Sequence, residues 1–235
     1  ALLLHADVLA ESGRTNEACI KLHRVLELEP ANVDAHIRAG KFAMEDERWE
    51  EAFIAWGLVR RLYPSHPTAC LHLAQTLLAM RRPEAARPLL KEYLERMDSS
   101  SDKEEKLLVA ELLLSAEEPT MASLLLTPLS KQLEDEDPQK ITCLRLLAVT
   151  LFASGKIDEG AAVSRKVLRF DPQCIASIHN LALAAMTNHR YRISWGWVRR
   201  GLAIDPQDDE LRRLRSRLLW SEITQVLRKI VGRAG

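Results

Sequence analysis

Apolar and small residues recur along this chain at helical spacing, in runs separated by short polar breaks. The first run is Leu2, His5, Ala6 and Leu9, and it breaks at Ser12-Gly13-Arg14. A second run, Ala18, Leu22, Val25 and Leu26, is stopped by Pro30, which cannot continue a helix. The pattern predicts two helices joined by a tight turn, and it resumes after Asn32. Val167-Leu168-Arg169-Phe170-Asp171-Pro172 closes a later pair, and Gly201-Leu202-Ala203-Ile204-Asp205-Pro206 repeats its form 34 residues on. Val25-Leu26-Glu27-Leu28-Glu29-Pro30 has the same form, with Pro64 following at the same 34-residue interval.

Counting by that interval divides the chain into six helix pairs, at about 1–32, 33–66, 67–100, 103–136, 141–174 and 175–208. Asp98 stands where the third pair would end in proline, and Pro138, Pro172 and Pro206 form a series six residues out of phase with Pro30 and Pro64. Two of the six extra residues are placed at Ser101-Asp102, extending Ser99-Ser100, and four at 137–140. Pro83 and Pro119 open second helices, where a missing amide donor costs little. Pro128 is expected to kink its helix. A last segment, 209–231, reads as a capping helix. Its apolar stripe jumps from Leu218 to Leu219 and on to Ile223, Val226, Leu227 and Ile230, which predicts a bend or two short helices near Trp220.

Aligned on the repeat, one column reads Ala6, Gly40, Ala74, Ala110, Ala148, Ala182, and a second reads Ala18, Ala52, Ala86, Ala122, Gly160, Ser194. Small side chains are required where two helix axes approach most closely. In its length, its two small columns and its terminal proline the unit resembles the tetratricopeptide repeat. The resemblance implies an all-α fold, a right-handed superhelix of antiparallel helix pairs with a concave inner face, spanning the chain as a single solenoid. The family's first-helix tryptophan is absent; Leu2, His36, Cys70, Lys106, Leu144 and Ile178 replace it. The chain begins within a helix at Ala1, as a piece of a longer protein would. Its first copy would then lack an upstream neighbour, leaving Leu3 and Leu4 bare and open to self-association.

Composition agrees with helices: aromatics are 5% of 235 residues and glycines number nine. Lys and Arg balance Asp and Glu at 33 each, which excludes a bulk attraction to nucleic acid or anionic membrane. The balance hides a contrast, since 103–140 carries 9 acidic and 4 basic residues whereas 190–235 carries 11 basic and 5 acidic. Cys19, Cys70, Cys143 and Cys174 are too dispersed for a disulfide framework or zinc site, so buried free thiols and a cytoplasmic location are expected. No apolar run is long enough to span a membrane. The seven histidines show no ligand spacing, and no phosphate cradle or nucleophile elbow occurs. Neither metal, cofactor nor enzymatic activity is expected.

The resemblance places function on the concave face of the first helices, as a scaffold or adaptor for a peptide or protein partner. By repeat position that face carries Arg38 and Lys41, Leu71 and His72, Leu108, Arg145 and Phe152, and His179 and Asn180. The family's carboxylate-gripping groove needs Lys and Asn where Ile37, Leu71, His72 and Leu146 stand, so binding of a C-terminal carboxylate is disfavoured. An alternative lies in the basic segment Arg199, Arg200, Arg212, Arg213, Arg215 and Arg217, which could dock on anionic membrane or nucleic acid. Nucleic acid is disfavoured by the scarcity of interleaved aromatics, and Trp195, Trp197 and Trp220 read as packing against the cap. A third possibility is a regulatory domain of a larger enzyme.

Overall fold

The structure, a computed structural model, describes residues 2–97 and 101–231, with side chains as far as Trp220. Asp98 and Ser99-Ser100 lie outside the described residues, as do the side chains of Ile223, Val226, Leu227 and Ile230. Thirteen helices and no strand occur among the described residues. They are α1 Leu2–Glu11, α2 Thr15–Leu28, α3 Val33–Glu45, α4 Trp49–Leu62, α5 Ala69–Ala79 and α6 Pro83–Arg96. There follow α7 Lys103–Ser115, α8 Pro119–Gln132, α9 Gln139–Ala153, α10 Ile157–Phe170, α11 Ile175–Thr187, α12 Tyr191–Ile204 and α13 Asp209–Val231. The fold class is the expected one: helices stacked in adjacent antiparallel pairs.

Two compact units divide the chain. One contains α1–α6 and the end of α7, Glu111–Glu118; the other contains the start of α7, Lys103–Ala110, and α8–α13. In both, the two columns of small residues are buried, and Ala6, Ala74, Ala110, Ala148 and Ala182 are all fully covered. Ser194 keeps its place in the second column because its Oγ donates to the Ala182 carbonyl at 2.7 Å.

Each pair turns in the same way. Residues 13, 47, 81, 117, 155 and 189 all have positive φ, between 56° and 75°. Around each, the following amide donates back to the carbonyl five residues earlier, as Arg48 does to Ala43 at 2.7 Å and Lys156 to Leu151 at 2.9 Å. The left-handed residue's own amide bonds the carbonyl three back, completing a Schellman motif that satisfies the helix end. Only Gly13 and Gly155 advertise this conformation; Glu47, Arg81, Glu117 and His189 adopt it without glycine.

The connections to the next pair reuse a side-chain cap. In Asp137-Pro138-Gln139, Asp171-Pro172-Gln173 and Asp205-Pro206-Gln207 the aspartate Oδ1 accepts from the glutamine amide at 2.8–3.0 Å. The first triplet makes the same turn but leads sooner into its helix, since α9 begins at Gln139 whereas α11 and α13 begin two residues after their triplets. Gln139 and Lys140 join α9. Lys140 Nζ donates to the carbonyls of Ser130 and Leu133, at 3.1 and 2.7 Å, closing the end of α8 with a positive charge. Helix α8 runs through Pro128, as α6 runs through Pro88. The last segment is one helix, not two short ones: Leu211, Leu214 and Leu218 seat α13, while Trp220 is 68% exposed and does not pack.

Candidate partner-binding faces

The first-helix residues differ sharply in availability. In the α1–α6 unit, Arg38 is bound twice to Asp7, through Nε at 2.7 Å and Nη2 at 3.0 Å, and reaches the Asp34 carbonyl at 3.2 Å. Lys41 is exposed, whereas Leu71 is buried. His72 stacks on Trp56 with ring centroids 4.2 Å apart and shares a 2.9 Å hydrogen bond between Nδ1 and Gln75 Oε1. Burial pushes the His72 pKa down, and the Lys41 charge adds to the effect; His66, its ring centroid 6.3 Å from that of Trp56, is lowered by the same two causes. Leu71 and His72 thus serve packing first.

In the second unit Leu108 is 37% exposed on α7, and on α9 Arg145 and Val149 are both exposed one turn apart. Phe152 turns inward: its ring lies over Gly160, in a cluster with Ala161, Leu181 and Ala184. His179 Nδ1 lies 3.5 Å from a Glu210 carboxylate oxygen, and Asn180 beside it is half-buried. The structure therefore leaves Lys41, Leu108, Arg145 and Val149 as open positions on these helices. The basic segment splits. Arg200 sits 5.5 Å from the Trp197 ring centroid and donates to the Pro172 carbonyl at 2.7 Å. On α13, Arg213, Arg215 and Arg217 are exposed and Arg212 is half-buried; Arg199 is exposed on α12.

Sequence reasoning missed the second-helix side, where three cavities lie over first helices. One of about 390 Å³ is lined by Cys19, Ile20, Leu26, Ala39 and Arg48. Another, of about 110 Å³, lies among α10, α11 and α12 near Trp197 and Arg190. The third, of about 710 Å³, is formed by α8, α9 and α10. Arg48 reaches Cys19 Sγ at 3.3 Å, whereas Cys70, Cys143 and Cys174 are buried thiols, and burial pushes Cys143 up to about 11. Among the described residues no group of His, Cys, Asp or Glu is arranged to hold a metal ion, and no helix is long and apolar enough to cross a membrane.

A family model described as tetratricopeptide repeat matches residues 3–67. Solved structures of the same kind extend the likeness over most of the chain. YrrB, described as a tetratricopeptide repeat protein with an unusual peptide-binding site, has a TM-score of 0.65 at 13% identity, covering 83% of this chain and 97% of its own. The tetratricopeptide repeat is matched over residues 3–67, and the fold is shared over most of the chain. PilW, a type IV pilus biogenesis factor, gives 0.65 at 13% identity, covering 91% of this chain and 96% of its own. MamA gives 0.60 at 14%, covering 74% and 92%. At these identities the likeness shows the fold alone. No curated protein matches the sequence. The repeat matched over residues 3–67 supports a protein-interaction scaffold.

Proposed function

We propose that the chain is a non-catalytic adaptor that holds a peptide or protein partner against the first helices of each unit. In the second unit the contact is centred on Arg145 and Val149, with Leu108, His179 and Asn180 around them. In the first unit it falls on Lys41, with Arg38 held ready by Asp7. The supporting observation is that α9, packed against α8 and α10, leaves an arginine and a valine open one turn apart, with Val149 45% exposed. An apolar side chain beside a cation at i and i+4 offers a partner both buried area and a charge contact. Phe152 contributes indirectly, by filling the space that Gly160 leaves beneath α9.

Selection of a phage-displayed random peptide library on the full chain tests this. Peptides selected on the native protein should bind an Arg145→Glu/Val149→Asp variant at least about tenfold more weakly, with unchanged helicity, since losing one apolar contact and one charge contact costs over 1.4 kcal/mol. Equal binding by both proteins would remove this face as the site.

A further inference from the structure

Helices α8, α9 and α10 form a trough on the second-helix side, about 710 Å³ in volume, that the adaptor reading leaves unused. Its floor is Leu144, Leu147 and Leu151, at i, i+3 and i+7 along α9. One wall is a single face of α10 running from Glu159 to Phe170, roughly 16 Å at 1.5 Å of rise per residue, or three helical turns. The facing wall is α8 at Thr127, Ser130 and Lys131. The apolar lining is deep and the charge is at the rim: Lys131, Lys166 and Arg169 are exposed, and no ion pair among the described residues engages them. Lys140, by contrast, is occupied by the Ser130 and Leu133 carbonyls and by Asp135, 3.4 Å away. Both walls therefore present positive charge above an apolar floor, opposed among the lining residues by Glu159 and by Asp135, which pairs with Lys140.

We propose that this trough is a second docking site, separate from the first-helix face, and that it takes one amphipathic α-helix of a partner protein with acidic flanks. Length and shape select a helix: three parallel turns of wall and a leucine ridge at i, i+3 and i+7 are what an incoming apolar ridge interdigitates with. Charge selects its sign, because carboxylates on either side of that ridge would meet Lys131 on one wall and Lys166 and Arg169 on the other. Phe170, 37% exposed at the end of α10, closes the apolar strip.

The test uses the full chain and two fluorescein-labelled synthetic peptides of four helical turns. Both carry leucines on one ridge, flanked by glutamate in one and lysine in the other. Fluorescence anisotropy should show the glutamate peptide binding, with an affinity that falls as salt rises. Lys166→Glu/Arg169→Glu, both on exposed positions, should weaken it at least about tenfold and confer binding of the lysine peptide. Lys131→Glu should act in the same direction from the facing wall, and Arg145→Glu should change nothing. Failure of the glutamate peptide to bind would overturn the proposal. So would equal binding to native and charge-reversed proteins, or loss on Arg145→Glu instead. Preference for dodecanoate over either peptide would overturn it in favour of a small amphiphile.

Discussion

Gly40 and Trp56 should behave as one unit, and the other copies show why. The same two repeat positions hold Ala6 with Leu22 and Ala74 with Leu90, so an unusually large second-helix residue coincides with the smallest first-helix residue. A Cβ added at Gly40 would lie 2.7 Å from Trp56 Nε1 and 2.8 Å from Cε2. The indole has little room to yield: it is fully buried, its Nε1 donates to Met44 Sδ at 3.2 Å, and His72 covers a face. Overpacking of this kind costs about 1–3 kcal/mol, against a gain of about 0.5–1 kcal/mol for alanine over glycine within a helix. Gly40→Ala should therefore destabilise the protein by roughly 0.5–2 kcal/mol. Trp56→Leu alone should cost about 2–3 kcal/mol through the cavity it leaves. In the Trp56→Leu background, however, the methyl has room, and Gly40→Ala should stabilise by about 0.5–1 kcal/mol. The sign reverses, with a coupling of roughly 1–3 kcal/mol. Urea unfolding of the four proteins, followed by far-UV circular dichroism, reads this directly. If Gly40→Ala shifts stability equally in both backgrounds, the steric reasoning is wrong.

Two further expectations concern the histidines beside Trp56 and the turns within the pairs. Burial lowers the pKa of His66 and His72 in the folded state, so the unfolded chain binds protons more readily. Their contribution is fully present above the unfolded value of about 6.5 and is lost as pH falls through the lower folded values. The urea midpoint should thus drop on acidification below pH of about 6.5, and less steeply in His72→Gln; an unchanged pH dependence in that variant would count against the assignment. Glu47 and Arg81 hold left-handed backbone at φ 56° and 57°. Glycine there should raise stability by about 0.5–1 kcal/mol, the relief of strain exceeding glycine's entropic cost, while Gly155→Ala should lower it by about as much; the reverse order in thermal melts would refute this.

The helix pairs were readable in the sequence because the features that mark them are consequences of local chemistry. Pro30, Pro172 and Pro206 each follow the end of a second helix, and a small residue at the closest approach is required by the backbones themselves, whatever surrounds them. The turn conformation was half visible, through Gly13 and Gly155. At Glu47, Arg81, Glu117 and His189 the two Schellman hydrogen bonds impose it on residues that do not favour it, and no residue type signals that. The binding faces were harder, because a side chain at the edge of a helical stripe is placed by its neighbour's size or charge. Phe152 has the right repeat position to face outward, yet the missing side chain at Gly160 draws its ring into the interface. Arg38 has the right position too, but Asp7 on the preceding pair holds it. The trough was the least legible, since its walls bring Lys131 together with Lys166 and Arg169 across the connection 133–138, two residues longer than 171–174 or 205–208. Pair-to-pair spacing, more than any residue within a pair, decides whether two second helices leave room between them. The irregular fourth connection is therefore where a binding surface particular to this protein is expected to differ from the generic repeat.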